Sequence, residues 1–266
     1  MTCALFALSG QGHTDIVMDD NTDRSRVRPQ SSRSRSAARV IARDPADGRP
    51  VGFRWDYDRA EIIADGVVHA IGVCFGVIGS IALVVFAWNS AGNLELASVL
   101  PYAIGLLAML AFSAAYNMWP VSPVKWLLRR FDHSAIFVLI AGTYTPFIAL
   151  MKASIASGML LVVIWATAAV GAVLKVVLPG RFDRFSIALY LLLGWSGVLA
   201  YESVIAVLPS FTLWFLAVGG ALYTIGVIFH IWAGLRFQNA IWHGCVLAAA
   251  SCHYTAVVEF LVVTAT

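Results

Sequence analysis

The chain has 266 residues, of which 60% are hydrophobic and 12% charged, with mean hydropathy +0.80 and formal net charge +3. A soluble domain carries roughly 25% charged residues, so a water-soluble fold is excluded and no nucleic-acid partner is expected. The composition is that of an all-α, polytopic membrane protein, and its few polar residues inside the membrane are where function is to be sought.

Residues 1–58 are rich in Arg, Ser and Asp with almost no apolar periodicity, as from Arg24 to Arg43, and read as a disordered cytoplasmic tail. The apolar patch from Cys3 to Leu8 has no basic residue ahead of it and is too short for a secretory core, so no cleaved signal is expected. Residues 59–266 form the membrane domain. A helical span needs about 20 mostly apolar residues, and stretches of that length fall near 62–88, 96–118, 132–151, 156–178, 185–207, 211–233 and 240–263. The expectation is a seven-helix transmembrane bundle in the plasma (cell inner) membrane.

In the first span Gly72, Gly76 and Gly79 recur at helical spacing and read as a packing seam. Orientation follows from Lys and Arg, which stay cytoplasmic when they sit in short loops. Arg54 and Arg59 precede the first span, Lys125, Arg129 and Arg130 lie between the second and third, Lys175, Arg181 and Arg184 between the fourth and fifth, and Arg236 between the sixth and seventh. The alternate connections hold only Lys152. The bias places the N-terminus in the cytoplasm and the C-terminus outside.

Polar residues gather at span ends on that cytoplasmic side. Asp65 and His69, Ser113 and Asn117, and Asn239 and His243 are each four apart, so each pair shares a helix face. Asp132 and His133 open the third span. Several helices therefore direct polar groups toward one pocket near the inner leaflet. For Asp132 a plain interfacial capping role beside Arg129 and Arg130 stands equally open. The four cysteines, Cys3, Cys74, Cys245 and Cys252, form no CxxC pair and suggest neither a disulfide framework nor a thiolate metal site.

The run Phe131-Asp132-His133-Ser134-Ala135-Ile136, continuing through Leu139-Ile140-Ala141-Gly142-Thr143-Tyr144-Thr145-Pro146-Phe147, closely resembles the signature of bacterial hemolysin III proteins, within the progestin and adipoQ receptor superfamily. The segment from Glu61 to Gly72, the run Asn239 to Gly244 and the pair Cys252-His253 match as well. The resemblance covers nearly everything after the tail. It implies a zinc ion held near the cytoplasmic face by three histidines, with an Asp of the third helix beside the metal-bound water. Carried onto this chain, the pattern falls on Ser113, Asn117, Asp132, Asn239 and His243, so Asn occupies two of the three ligand positions. An amide oxygen is a poor donor for zinc, which makes a degraded metal site the expectation, with His69 or His133 as the groups able to compensate.

Function follows in three versions. The first is a membrane lipid-sensing or homeostasis protein that binds an acyl chain or ceramide-like ligand between its helices. The second, implied by the superfamily, is a zinc-dependent lipid amide hydrolase in which Asp132 acts as general base with Ser113 nearby. The third is the cytolysin that the family name implies, although the chain shows no barrel pattern or soluble prepore segment. Phosphate-binding Gly loops and HExxH are absent.

Overall fold

The computed structural model describes residues 57–90, 93–150, 155–178, 183–200, 206–232 and 234–265. The expected tail lies outside these apart from its last two residues, as does Cys3. The described residues form α1 (Arg59–Ser90), α2 (Asn93–Met118), α3 (Pro123–Leu150), α4 (Ile155–Val177), α5 (Asp183–Gly194), a short 3-10 segment (Ser196–Ala200), α6 (Ser210–Ile231) and α7 (Gln238–Ala265). Among them no strand is present. Six helices, α1 to α4, α6 and α7, are long and apolar enough to cross a membrane.

Two expected spans differ from what is observed. The third helix begins at Pro123 rather than near Asp132, so Lys125, Arg129 and Arg130 lie on its first turns and not in a connection. Local chemistry explains the early start. Pro is favoured in the first turn, where its missing N–H costs nothing, and the Ser122 hydroxyl accepts the Lys125 N–H at 3.3 Å, as a capping side chain does.

The fifth span, expected over 185–207, runs over the described residues as the twelve-residue α5 followed by the 3-10 segment, with 201–205 outside the described residues. The α3 residue Tyr144 explains the break. Its hydroxyl donates to the Gly194 carbonyl at 2.8 Å and accepts the Gly197 N–H at 2.9 Å, which satisfies backbone groups that leave the helical ladder. Interrupted backbone at membrane depth is tolerated where protein groups complete it in this way.

The core sits between α1, α2, α3 and α7, where Leu83, Val99, Tyr102, Val257, Phe260 and Leu261 are almost wholly buried. Close approach of the helices depends on glycine. Leu110 of α2 occupies the space a side chain would take at Gly76, the Tyr254 ring of α7 does so at Gly79, and Gly142 of α3 faces the Pro101 carbonyl of α2. The expected glycine seam of the first span is thus a packing surface against two neighbours. A second cluster, Phe137, Ala141, Ile164 and Ala168, joins α3 to α4, and Trp165 donates to the Thr145 hydroxyl at 3.1 Å across the same contact. Outside, Phe75, Trp88, Met159, Val162, Leu192 and Trp214 are exposed. Large apolar side chains cover the outer surface, as lipid contact requires.

Candidate functional site

The start of α1 is fixed by a reciprocal cap. Asp58 Oδ1 accepts the Glu61 N–H at 2.8 Å, and Glu61 Oε2 accepts the Asp58 N–H at 3.0 Å. The other Glu61 oxygen accepts the Phe237 N–H at 3.1 Å, and Arg236 reaches Asp58 at 3.2 Å. Phe237 has φ 59, a left-handed conformation that a bulky residue adopts only when its surroundings hold it there. These contacts tie the turn before α7 to the first turn of α1 and set the register of both helices.

One turn deeper, that register brings Asp65 and His69 of α1 against His243 of α7. Nδ1 of His243 lies 2.6 Å from Asp65 Oδ1, the geometry of an N–H donated to a carboxylate. Nε2 of His69 stands 3.6 Å from Asp65 Oδ2, and the two imidazole rings are 4.4 Å apart between centroids. All three side chains are largely buried. From α2, the Asn117 amide donates to the Ser113 carbonyl at 2.9 Å and lies 3.5 Å from His243 Nε2. His243 is therefore held on both nitrogens, by a carboxylate on one side and an amide on the other.

Asp132 of α3 is buried, with Ser113, Arg129, Asp65 and His243 around it. The Asn239 side of α7 faces a cavity of about 60 Å³ at this end of the bundle, lined on its polar side by Glu61, Asp65, Asn117, Lys125 and Asn239. Its apolar wall is Ile62, Met118 and Val121, each also exposed at the bundle surface. His133 lies apart from the Asp65 group, its ring 6.5 Å from Tyr116 and its carbonyl accepting the Tyr190 hydroxyl at 2.7 Å.

The donors present decide whether a metal fits. At the positions that the family resemblance assigns to ligands stand Asn117, Asn239 and His243, a single imidazole among them. The Asn117 atom facing His243 is the amide nitrogen, which has no lone pair to give. That set does not fit zinc. Asp65, His69 and His243 do form a group able to hold a metal ion, with one ligand atom from each lying within 4.8 Å of the others. Sequence reasoning placed Asp65 and His69 on one face but gave Asp65 no role. The available signal was an acid one turn before a histidine on a strongly apolar helix, where an unpartnered carboxylate would be costly.

Comparison with known proteins agrees with this architecture. The family described as haemolysin-III related matches residues 60–254. The chain is 34% identical over 202 residues to the hemolysin-3 homolog of Bacillus subtilis (strain 168), covering 76% of this chain and 95% of that protein. Against hemolysin-3 of Bacillus cereus the identity is 31% over 205 residues, covering 77% and 94%. The human monocyte to macrophage differentiation factor is 29% identical over 166 residues, covering 60% of this chain and 68% of its own length. With most of its membrane helices matched across their whole length, the chain belongs to the hemolysin III family, within the progestin and adipoQ receptor superfamily.

Proposed function

We propose that this protein recognises membrane lipid at the polar end of its bundle and serves in sensing or maintaining the lipid composition of the plasma membrane. The observation that carries this reading is the two-sided character of the cavity. Ile62, Met118 and Val121, 50%, 40% and 41% exposed, border a space whose other wall holds Asp65, Asn117, Lys125 and Asn239. Such a cleft suits a lipid whose polar group turns inward while its acyl chain stays in the bilayer. Lys125 and Arg236 flank this end, so by the retention of basic residues it faces the cytoplasm. In this reading α5 and the 3-10 segment together make the remaining crossing, giving seven spans, an internal N-terminus and an external C-terminus.

Photo-crosslinking with a bifunctional fatty acid in living cells, read by peptide mapping, tests the proposal. Labelling concentrated on the first turns of α1 and the last turn of α2, and lost in Asn239→Trp, is expected. Labelling spread evenly over the outer belt would sink it.

A lipid amide hydrolase is the second reading, favoured by the burial of Asp132 and Ser113 beside His243. A metal held by this chain would supply Lewis-acid activation of water. The residues themselves would orient the lipid amide against Asn117 and take a proton on Asp132. Turnover of a short-chain ceramide in detergent that disappears in Asp132→Ala would establish it, and absence of turnover in zinc-loaded protein would remove it. The word hemolysin in the relatives' names describes those proteins, and no feature of this site favours a lytic role.

A further inference from the structure

We propose that the metal centre of this protein has moved sideways within the bundle, onto Asp65 and His69 of α1 and His243 of α7, so that α1 takes the ligating role which the family resemblance assigns to α2. The ion is a divalent first-row transition metal of the zinc class, and the inference stands whether or not the lipid reading does.

One buried nitrogen in this group is orphaned. His69 is 6% exposed, and its Nε2 has no hydrogen-bond partner. A buried polar atom left in that state is costly, and this one points toward Asp65 and His243. Hydrogen bonding to Asp65 would answer the cost, but the oxygen on that side, Oδ2, stands 3.6 Å from Nε2 while Oδ1 is held by the His243 proton at 2.6 Å. A cation between the three satisfies all of them at once.

The spacing agrees. Two ligands each about 2.0–2.2 Å from a tetrahedral zinc stand about 3.3 Å from one another. The two separations from Asp65, 2.6 Å to one carboxylate oxygen and 3.6 Å to the other, lie either side of that value, and one ligand atom from each of the three residues falls within 4.8 Å of the others. Chemistry selects the ion, since two imidazoles with one carboxylate are donors for zinc and its neighbours in the transition series rather than for calcium or magnesium. Three protein ligands leave a coordination position open. Access is present, because Asp65 also lines the cavity at the end of the bundle.

The change also gives Asn117 a reason. When Nδ1 of His243 ligates the metal, its proton moves to Nε2, and a ligating histidine needs an acceptor for that proton. Asn117 lies 3.5 Å from Nε2, and once its amide exchanges the bond to the Ser113 carbonyl for this role, its carbonyl oxygen accepts that proton. An Asn at this position is then an outer partner of the metal-bound histidine, where a His would compete for the ion.

The test uses the full chain in detergent, loaded with zinc alone and dialysed, with zinc counted by elemental analysis and its shell read by X-ray absorption at the zinc edge. The expected result is about one zinc per chain with two imidazoles and a carboxylate bound. Zinc content should fall at least tenfold in His69→Ala and in Asp65→Ala and persist in Asn239→Ala. A shell with one imidazole, or zinc retained in His69→Ala, would overturn the proposal by placing the ion on the Asn117 side of His243. Wild-type protein that takes up no zinc would overturn it too. The wild-type shell needs no variant, so a misfolded mutant leaves the decision intact.

Discussion

The first turns and the middle of α7 carry the same residue type in opposite circumstances. His243 lies among Asp65, His69 and Asn117 beside a cavity. His253, about 15 Å further along the helix, meets the Leu216 carbonyl at 3.4 Å, the Tyr223 ring edge-on at 5.4 Å and the backbone of Gly219. Near it, Tyr254 donates to the Gly79 carbonyl at 2.8 Å, and Glu259 accepts the Thr212 hydroxyl. The hydrogen bonds among these contacts each fasten one helix to another through a single polar group. The difference shows that depth in the membrane does not by itself mark a polar residue as functional. What separates the two levels is whether several ionisable groups converge on each other and on open space, or each is spent on a single partner in a neighbouring helix.

The contrast breaks most visibly by deleting one group at each level. Asp65→Ala removes the carboxylate that faces both imidazoles, and the expected cost is about 3 kcal/mol, as for other buried charged hydrogen bonds and pairs. His253→Ala loses one long bond to a carbonyl, so about 1 kcal/mol is expected. Reversible unfolding in mixed micelles reads both. Equal losses would mean that the Asp65 group is helix glue like the rest.

A second comparison exploits space. At Gly219 a Cβ would stand 2.6 Å from His253 Nε2 and 3.1 Å from the Ala249 carbonyl oxygen, while at Gly244 it would meet nothing within 4 Å. Gly219→Leu should therefore destabilise the α6–α7 contact by about 2 kcal/mol through overpacking. Gly244→Ala should leave the melting temperature unchanged or slightly raised, since alanine is the better helix former. A tolerated Gly219→Leu would show that the α6–α7 contact around His253 is looser than its distances imply.

Much of this was legible in the chain because membrane helices announce themselves by length and composition. The apolar runs that became α1, α2, α4, α6 and α7 lie within a few residues of their expected bounds. The clustering of Asp65, His69, Asn117 and His243 at one end likewise follows from their four-residue spacings. Three features were not legible, each for a physical reason. The early start of α3 depends on a Ser122 cap and an N-terminal Pro123, which override the polarity of Lys125, Arg129 and Arg130. The break after Gly194 depends on Tyr144, some 50 positions away, and no local pattern carries that contact. The central place of Asp65 arises only when α7 meets α1, a pairing that hydropathy does not encode.

Smaller effects belong to the single hydrogen bonds beyond His253. Tyr254→Phe removes one hydroxyl from the α1–α7 contact and Thr212→Val one from α6–α7, and each should cost about 0.6 kcal/mol, the usual worth of an interhelical bond in a membrane. Their effects should add, because the two ties fasten different helix pairs. A double variant that loses far more than the sum would mean that α7 is held as one cooperative unit rather than by independent fastenings.

The smallest expected effect lies at the mouth of the site, where Asp58 is both a helix cap and the partner of Arg236. The Glu61 N–H, ahead of Arg236, holds the Asp58 carboxyl below the usual carboxylate range. A group whose folded pKa is depressed contributes stability above its unfolded value and loses that contribution as pH falls through the folded one. The melting-temperature gap between wild type and Asp58→Ala should therefore be widest near neutrality and close on acidification. Arg236→Ala should leave that gap almost intact, because both partners of this ion pair are well exposed, at 67% and 48%, and solvent and salt screen them. If Arg236→Ala reproduced Asp58→Ala, the ion pair rather than the cap would be what ties α7 to α1. The alignment of Asp65 with His243 would then depend on ionic strength.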